Sequence, residues 1–285
     1  MQARRRLRRR RGHWPCQCPW RRRSRSFHQR RSWPRIRSLS FHGFRTVCWL
    51  IPAIGVYTIV LGIASITSSF FGRRGYFAHN CARVWSWLIL ATTGVEVTVR
   101  GLERLVPGRT YVFVANHQSI YDIPCLFWHI PFQLRIIAKE SLGSFPMLGP
   151  HLKRTGHLLV DRSKPDRAGI IGWASRLTAN GLSLIIFPEG TRSADGYLGR
   201  FKGGSIMLAM QAGLPLVPIS VIGSRHVMKK GELTTRPAHV ELIVHEPIET
   251  VATEQPDTQD VRALADRVRD VIRPSVEAEA ARARP

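Results

Sequence analysis

The residues best equipped for chemistry lie in one short run, Asn116-His117-Gln118-Ser119-Ile120-Tyr121-Asp122. A histidine can take a proton near neutral pH, and a carboxylate on one ring nitrogen fixes the tautomer and leaves the other nitrogen free as a base. The spacing decides whether His117 and Asp122 can meet. Each helical residue turns about 100°, so five positions on a straight helix put two side chains about 140° apart. The pair meets only if His117 lies in a loop and Asp122 near a helix start. The flanking sequence favours that geometry: an apolar run, Tyr111–Ala115, precedes it, Ser119 or Asp122 can cap a helix, and Pro124 fits only a first turn. Ser119-x-x-Asp122 also satisfies a capping-box-like helix start, so the cluster alone leaves a structural reading open.

A second cluster follows another apolar run. Leu182–Phe187 leads into Pro188-Glu189-Gly190-Thr191-Arg192-Ser193, a loop offering backbone N–H groups, a hydroxyl and a guanidinium to an oxyanion. Cations recur where other predicted strands end: Lys139 after Leu134–Ala138, Arg162 after His157–Val160, and Lys202 in Phe201-Lys202-Gly203-Gly204. If these strands end at one edge of one sheet, the cations converge into a phosphate pocket. Singly, each reads as a solvated charge.

At these residues the chain resembles the glycerolipid acyltransferases, and among them the 1-acylglycerol-3-phosphate acyltransferases. Asn116-His117, four variable residues and Asp122 match that family's first motif. Gly156-His157-Leu158-Leu159-Val160-Asp161-Arg162 matches the second, Phe187 to Ser193 the third in full, and Val217-Pro218-Ile219 the fourth. Lys139-Glu140-Ser141-Leu142 is similar to the lysine segment between the first two. The motifs stand in order over roughly residues 75–245.

The resemblance implies transfer of a fatty acyl group from a thioester, acyl-CoA or acyl-ACP, to the sn-2 hydroxyl of 1-acylglycerol-3-phosphate, giving phosphatidic acid. His117 would act as general base and Asp122 would orient it. The phosphate would sit on Arg162 and on Glu189, Gly190, Thr191 and Arg192, with Lys139 close by. Glu189, wrong in charge for a phosphate ligand, is expected to position Arg162, Arg192 or the glycerol hydroxyl. No acyl-enzyme is implied, and the chain has no Gly-x-Ser-x-Gly elbow. No metal or redox cofactor is implied, because His117 and Asp122 lack the further ligands of a zinc site. Other acceptors, namely glycerol-3-phosphate, another lysophospholipid or a lyso-ornithine lipid, fit the same motifs. A hydrolase using the same pair is a further alternative.

These residues need a scaffold. From Val95 on, short apolar runs alternate with helical stretches, including Asp166–Asn180, Ser205–Ala212 and Asp260–Ile272. That alternation predicts an α/β fold, a mixed sheet flanked by helices. The division expected is an Arg-rich leader over 1–45, membrane-anchoring helices over 46–94, a catalytic domain over 95–250, and a C-terminal helix and tail over 251–285.

The charge follows this division. The net charge is +24, yet residues 1–45 hold 16 arginines and the first acidic residue is Glu96. An Arg tract such as Arg4–Arg11 buries no apolar area and is expected to be disordered. It can attract anionic lipid or nucleic acid, and a nucleic-acid or membrane-surface binder driven by this leader is the rival from another class. The acyltransferase reading carries no specific nucleic-acid partner.

Val47–Phe71 carries no charge in 25 positions, enough to cross a bilayer core. Ala82–Gly94, with Trp85 and Trp87, is short for a span and reads either as an interfacial helix or as a buried core helix. The expected location is the cell membrane, with the catalytic domain facing the cytoplasm, where lipid substrates and the thioester carrier meet. Cys16, Cys18, Cys48, Cys81 and Cys125 form neither a zinc pattern nor a disulfide framework and are expected as reduced thiols.

Overall fold

The computed structural model describes residues 40–68, 70, 75–161 and 167–282. The Arg4–Arg11 tract, Cys16, Cys18 and Arg162 lie outside the described residues.

The chain enters through α1 (Phe41–Arg45), passes a π-helical turn (Thr46–Leu50) and continues as α2 (Ile51–Ser68). The helix therefore begins inside the segment assigned to the leader. Together these turns make one 28-residue helix, long and apolar enough to cross a membrane, with only 6% of its most apolar window buried. Trp49, Val56, Ile59, Val60 and Ile63 stand exposed along it. α3 (Tyr76–Thr93) runs back along α2. Trp85 Nε1 donates to Thr58 Oγ1 at 3.0 Å, Tyr57 and Thr92 hydroxyls meet at 3.0 Å, and Arg45 donates to the Thr93 carbonyl at 2.7 Å.

α3 is six residues longer at its start than Ala82–Gly94, and it buries Ala78, His79, Cys81, Ser86, Ile89 and Leu90. Of the two tryptophans read as interfacial, only Trp87 is exposed. Trp85 turns inward, because its indole N–H finds a partner on α2.

The remaining elements are β1 (Val95–Arg100), β2 (Val112–Ala115), α4 (Asp122–His129), β3 (Leu134–Lys139), α5 (Leu148–Arg154), β4 (Leu158–Val160), α6 (Arg167–Thr178), β5 (Ser183–Ile186), α7 (Gly203–Ala212), β6 (Leu216–Ile222), α8 (Ser224–Val227), β7 (Ala238–Val244) and α9 (Thr258–Arg282). The seven strands form one sheet in the order β1-β7-β6-β2-β5-β3-β4. Every pairing is parallel except β6 with β7. The expected mixed α/β sheet flanked by helices is the observed architecture.

β2 sits between β5 and β6 and is buried on both faces, as a central parallel strand must be. Its side chains alternate between two cores. Phe113 and Ala115 face a cluster with Leu90, Cys125 and Leu126, on the α3 and α4 side. Val112 and Val114 face a cluster with Trp173, Ile206 and Val268, on the α6, α7 and α9 side. Full burial of each such side chain contributes about 1.5–3 kcal/mol.

α9 runs ten residues past Ile272, where its amphipathic pattern was expected to give way to a tail, and Pro274 lies inside it. The physical reason is the buried stripe Val261, Ala265, Val268, Ile272, Val276 and Ala280, whose spacing of three and four continues beyond the proline. A proline in a helix interior costs about 3 kcal/mol, the same order as the burial of the side chains that follow it.

Candidate active site

Because β2, β3, β4, β5 and β6 run parallel, their carboxyl ends lie at one edge of the sheet. In register, Val114 of β2 stands level with Ile186 of β5 and Pro218 of β6. The segments carrying His117 and Pro188–Ser193 therefore leave the sheet side by side, and Lys139 closes β3 nearby. Such an edge is the usual ligand position in open α/β sheets.

The loop between β2 and α4 is fixed residue by residue. Asn116, 1% exposed, continues the strand ladder with its side chain: Val221 N–H donates to Oδ1 at 2.7 Å and Nδ2 donates to the Val221 carbonyl at 2.8 Å. Gln118 Nε2 donates to the Gly196 carbonyl and Ser119 Oγ to the Met228 carbonyl. His117 is left projecting between these anchors.

His117 Nδ1 lies 2.7 Å from Asp122 Oδ2, so a loop position for the histidine and a helix-start position for the carboxylate do bring the pair together. The same oxygen accepts the N–H groups of Gln118 at 2.8 Å and Ser119 at 3.0 Å. Neither residue proposed as the N-cap fills that role. α4 starts on Tyr121 with no side-chain cap, because Asp122 is turned back onto the loop. Asp122 is fully buried, and its Oδ1 has no hydrogen-bond partner among the described residues. A carboxylate so buried is costly unless it is hydrogen-bonded, and Oδ2 meets that need through the His117 ring and two backbone N–H groups. The ring stacks on Phe187, centroids 4.2 Å apart.

Glu189 occupies a role that the residue pattern did not disclose. Its Oε1 accepts the His117 backbone N–H at 2.9 Å and its Oε2 accepts the Gly199 N–H at 3.2 Å. Among the described residues it thus holds two backbone N–H groups, while Arg162, one of the groups it was expected to position, lies outside them. Glu189 is 8% exposed. Burial pushes its carboxyl above the usual carboxylate range, while the two N–H groups pull it back. The Ser193 N–H donates to the His117 carbonyl at 2.8 Å, so both peptide groups of His117 are held by the second loop.

Gly190 adopts φ +71°, and a Cβ there would stand 2.8 Å from Lys202 Nζ. The positive φ favours glycine, whereas the Lys202 tip is the end of a flexible side chain and could move aside. Lys230, which no motif singled out, donates to Thr191 Oγ1 at 3.1 Å and to the Arg192 carbonyl at 2.8 Å. Its signal was the Lys229-Lys230-Gly231 turn beyond β6. Arg269 of α9 donates to the Leu198 and Gly199 carbonyls at 3.1 and 3.0 Å, steadying the segment that binds Glu189.

Two cavities meet at this edge. One, of about 480 Å³, has Glu189, Thr191, Arg192, Arg200, Lys202 and Lys230 in its lining. The other, of about 600 Å³, begins at His117, Phe187 and Lys139 and continues between β3, α3, α4 and α5 past Ile123, Phe127, Ile136 and Leu152. Thr191, Arg192 and Lys230 line both. Lys139, Thr191 and Arg192 are thus gathered near His117 as the strand-end argument required.

Residues 96–222 match the family model described as Acyltransferase. The chain is similar to the 1-acyl-sn-glycerol-3-phosphate acyltransferase of Cocos nucifera, 35% identical over 62% of this chain and 57% of the relative. The alpha form of the same enzyme from Homo sapiens is 34% identical over 62% of each. The chain therefore spans about three fifths of these curated relatives. It covers 85% of its own length and 70% of the relative in a match at 29% identity to a 1-acyl-sn-glycerol-3-phosphate acyltransferase of Chlamydomonas reinhardtii. Its fold matches the crystal structure of the 1-acyl-sn-glycerophosphate (LPA) acyltransferase, PlsC, from Thermotoga maritima. That match has a TM-score of 0.69 and 27% identity, and covers 84% of this chain and 96% of that one.

Proposed function

We propose that this protein transfers a fatty acyl group from a thioester to the sn-2 hydroxyl of 1-acylglycerol-3-phosphate, giving phosphatidic acid. The observation that carries the reading is the His117–Asp122 contact of 2.7 Å at the junction of an apolar cavity and a cationic one. The acceptor has that same division, an aliphatic chain joined through glycerol to a phosphate. Relatives with 1-acyl-sn-glycerol-3-phosphate in their names support this choice of acceptor.

In this reading the acceptor hydroxyl gives its proton to His117 Nε2 as its oxygen attacks the thioester carbonyl. Asp122 holds the ring through Nδ1 and stabilises the imidazolium. The C–S bond breaks, and the thiolate leaves and takes up the proton. Phosphate charge is met by Lys139 and Arg192, with the Thr191 hydroxyl beside them and Gly190 letting the loop approach. Arg162 is assigned to the same phosphate by its motif alone. The reaction so written uses an acyl-CoA or acyl-ACP co-substrate and no metal or redox cofactor. The exposed apolar helix Phe41–Ser68 supplies membrane association, with the catalytic domain on the cytoplasmic side where the thioester arrives.

The test is a transfer assay on purified protein with 1-acylglycerol-3-phosphate and either acyl-CoA or acyl-ACP, products resolved by mass spectrometry. Phosphatidic acid is the expected product, and His117→Ala should lower its formation at least 10³-fold with unchanged thermal unfolding, the scale seen when a catalytic base is removed. Free fatty acid as the main product, or His117→Ala retaining a tenth of the activity, refutes the assignment.

A further inference from the structure

The apolar cavity has a polar floor that the transfer reaction does not use. His151 and His157 line it, 9% and 8% exposed, with ring centroids 5.6 Å apart. One nitrogen of each ring is engaged: His151 Nδ1 lies 2.6 Å from Ser65 Oγ, and His157 Nδ1 accepts the Ile136 N–H at 3.2 Å. The second nitrogen, Nε2, has no hydrogen-bond partner in either ring among the described residues, and both residues line the cavity.

Burial and the Arg135 guanidinium push His151 down to about 4, and burial with the neighbouring charges holds His157 well below the ordinary histidine range. Both rings are neutral at physiological pH. A neutral His157 that accepts at Nδ1 carries its proton on Nε2, which makes it a donor on a residue that lines the cavity. His151 offers a donor or an acceptor there, according to the direction of its bond with Ser65. Nearby hydroxyls are already used: Ser86 donates to the Ala82 carbonyl and Thr58 to the Ile54 carbonyl. No group of three His, Cys, Asp or Glu side chains among the described residues is placed to hold a metal ion, so these nitrogens stand as hydrogen-bonding groups.

The depth of this floor follows from register. His157 bonds to Ile136, three residues before Lys139 at the end of β3. A strand rises about 3.3 Å per residue, which puts the floor roughly 10 Å below the edge where His117 stands. An extended chain advances about 1.1–1.2 Å per bond, taking 3.3–3.6 Å for the three bonds of a residue. The floor thus lies about eight or nine bonds from the reacting centre. A plain methylene chain seated there leaves both nitrogens unpaired, whereas a hydroxyl can accept from one and donate to the other.

We propose that His151 and His157 form a specificity site for an aliphatic chain bearing a mid-chain hydroxyl, carried by one of the two lipid substrates. This deepens the acyltransferase reading and rests on it.

The test is a competition. Purified protein is given equimolar plain and mid-chain-hydroxylated acyl thioesters in one arm, and plain and mid-chain-hydroxylated 1-acylglycerol-3-phosphates in the other, with products counted by mass spectrometry. The expected result is about tenfold or greater preference for the hydroxylated chain in one arm, the scale of one buried group left unpaired. That preference should vanish when the hydroxyl is moved to carbon 3. It should fall to about unity in His151→Phe and in His157→Gln, whose amide oxygen can still accept the Ile136 N–H. Active transfer with equal use of both chains in both arms overturns the proposal, as does an undiminished preference in both variants. Absence of any phosphatidic acid in the wild-type reaction overturns the acyltransferase reading and this inference with it.

Discussion

Replacing Glu189 by glutamine separates two roles for the second loop. The carboxylate accepts two backbone N–H groups, from His117 at 2.9 Å and Gly199 at 3.2 Å. Glutamine offers one oxygen and one NH₂, so one backbone donor must face another donor. The lost charge-assisted bond is worth about 1.5–3 kcal/mol. Part of that is returned to stability, because the neutral amide avoids the burial that raises the Glu189 carboxyl. Net destabilisation is therefore expected near 1 kcal/mol. Catalysis has no such offset. Space around the group is tight, since a Cβ on Gly199 would stand 2.8 Å from Glu189 Oε2. The NH₂ therefore pushes the His117 peptide or the 198–200 segment, and a displacement of 1 Å at a reacting group costs on the order of 10²-fold. Steady-state kinetics with varied acceptor at saturating thioester should show kcat lower by about 10- to 100-fold. KM for 1-acylglycerol-3-phosphate should stay within about twofold. A tenfold rise in that KM with unchanged kcat would put Glu189 on the substrate and refute the reasoning.

Two further outcomes concern stability. Asn116→Ala leaves the buried N–H and carbonyl of Val221 unpaired, which should cost about 2–4 kcal/mol and lower the melting temperature by about 5–15 °C; a shift under 2 °C would show the ladder closing without it. His151 is neutral in the fold down to about pH 4 but protonates near 6.5 once unfolded. Below 6.5 the unfolded chain therefore binds the extra proton, and stability falls as pH drops from 6.5 to 4. His151→Phe should remove up to about 3 kcal/mol of that decline in denaturant titrations, and an unchanged pH slope would contradict it.

What the sequence disclosed was local or periodic. The strand-to-loop position of His117, the glycine at 190 and the cations Lys139 and Arg192 follow from short-range pattern, and parallel strands then bring them to one edge. Hydrogen bonds that span the chain left no such trace. Glu189 reads as a ligand-loop acid until its partner 72 residues away is seen to be a backbone N–H. Asp122 reads as a cap until its carboxylate is found turned onto Gln118 and Ser119. The polar floor joins Ser65, Ile136 and His151 from three elements with His157 from the loop before β4, a grouping that spacing along the chain cannot express. At Pro274 the local rule against a helix was outweighed by an apolar stripe that continues beyond it.

The edge strand β1 has a temporal consequence. It follows α3 directly but pairs with β7, which ends at Val244, and β2 waits for β5 and β6 on either side. No part of the sheet can close from the first half of the chain alone. At about 5–20 residues per second of synthesis, the helix ending at Ser68 emerges on the order of 10–35 s before β7 is complete. Over that interval the apolar helix Phe41–Ser68 is present while the strands are still unpaired, so it is open to an apolar partner before the sheet that carries His117 can assemble.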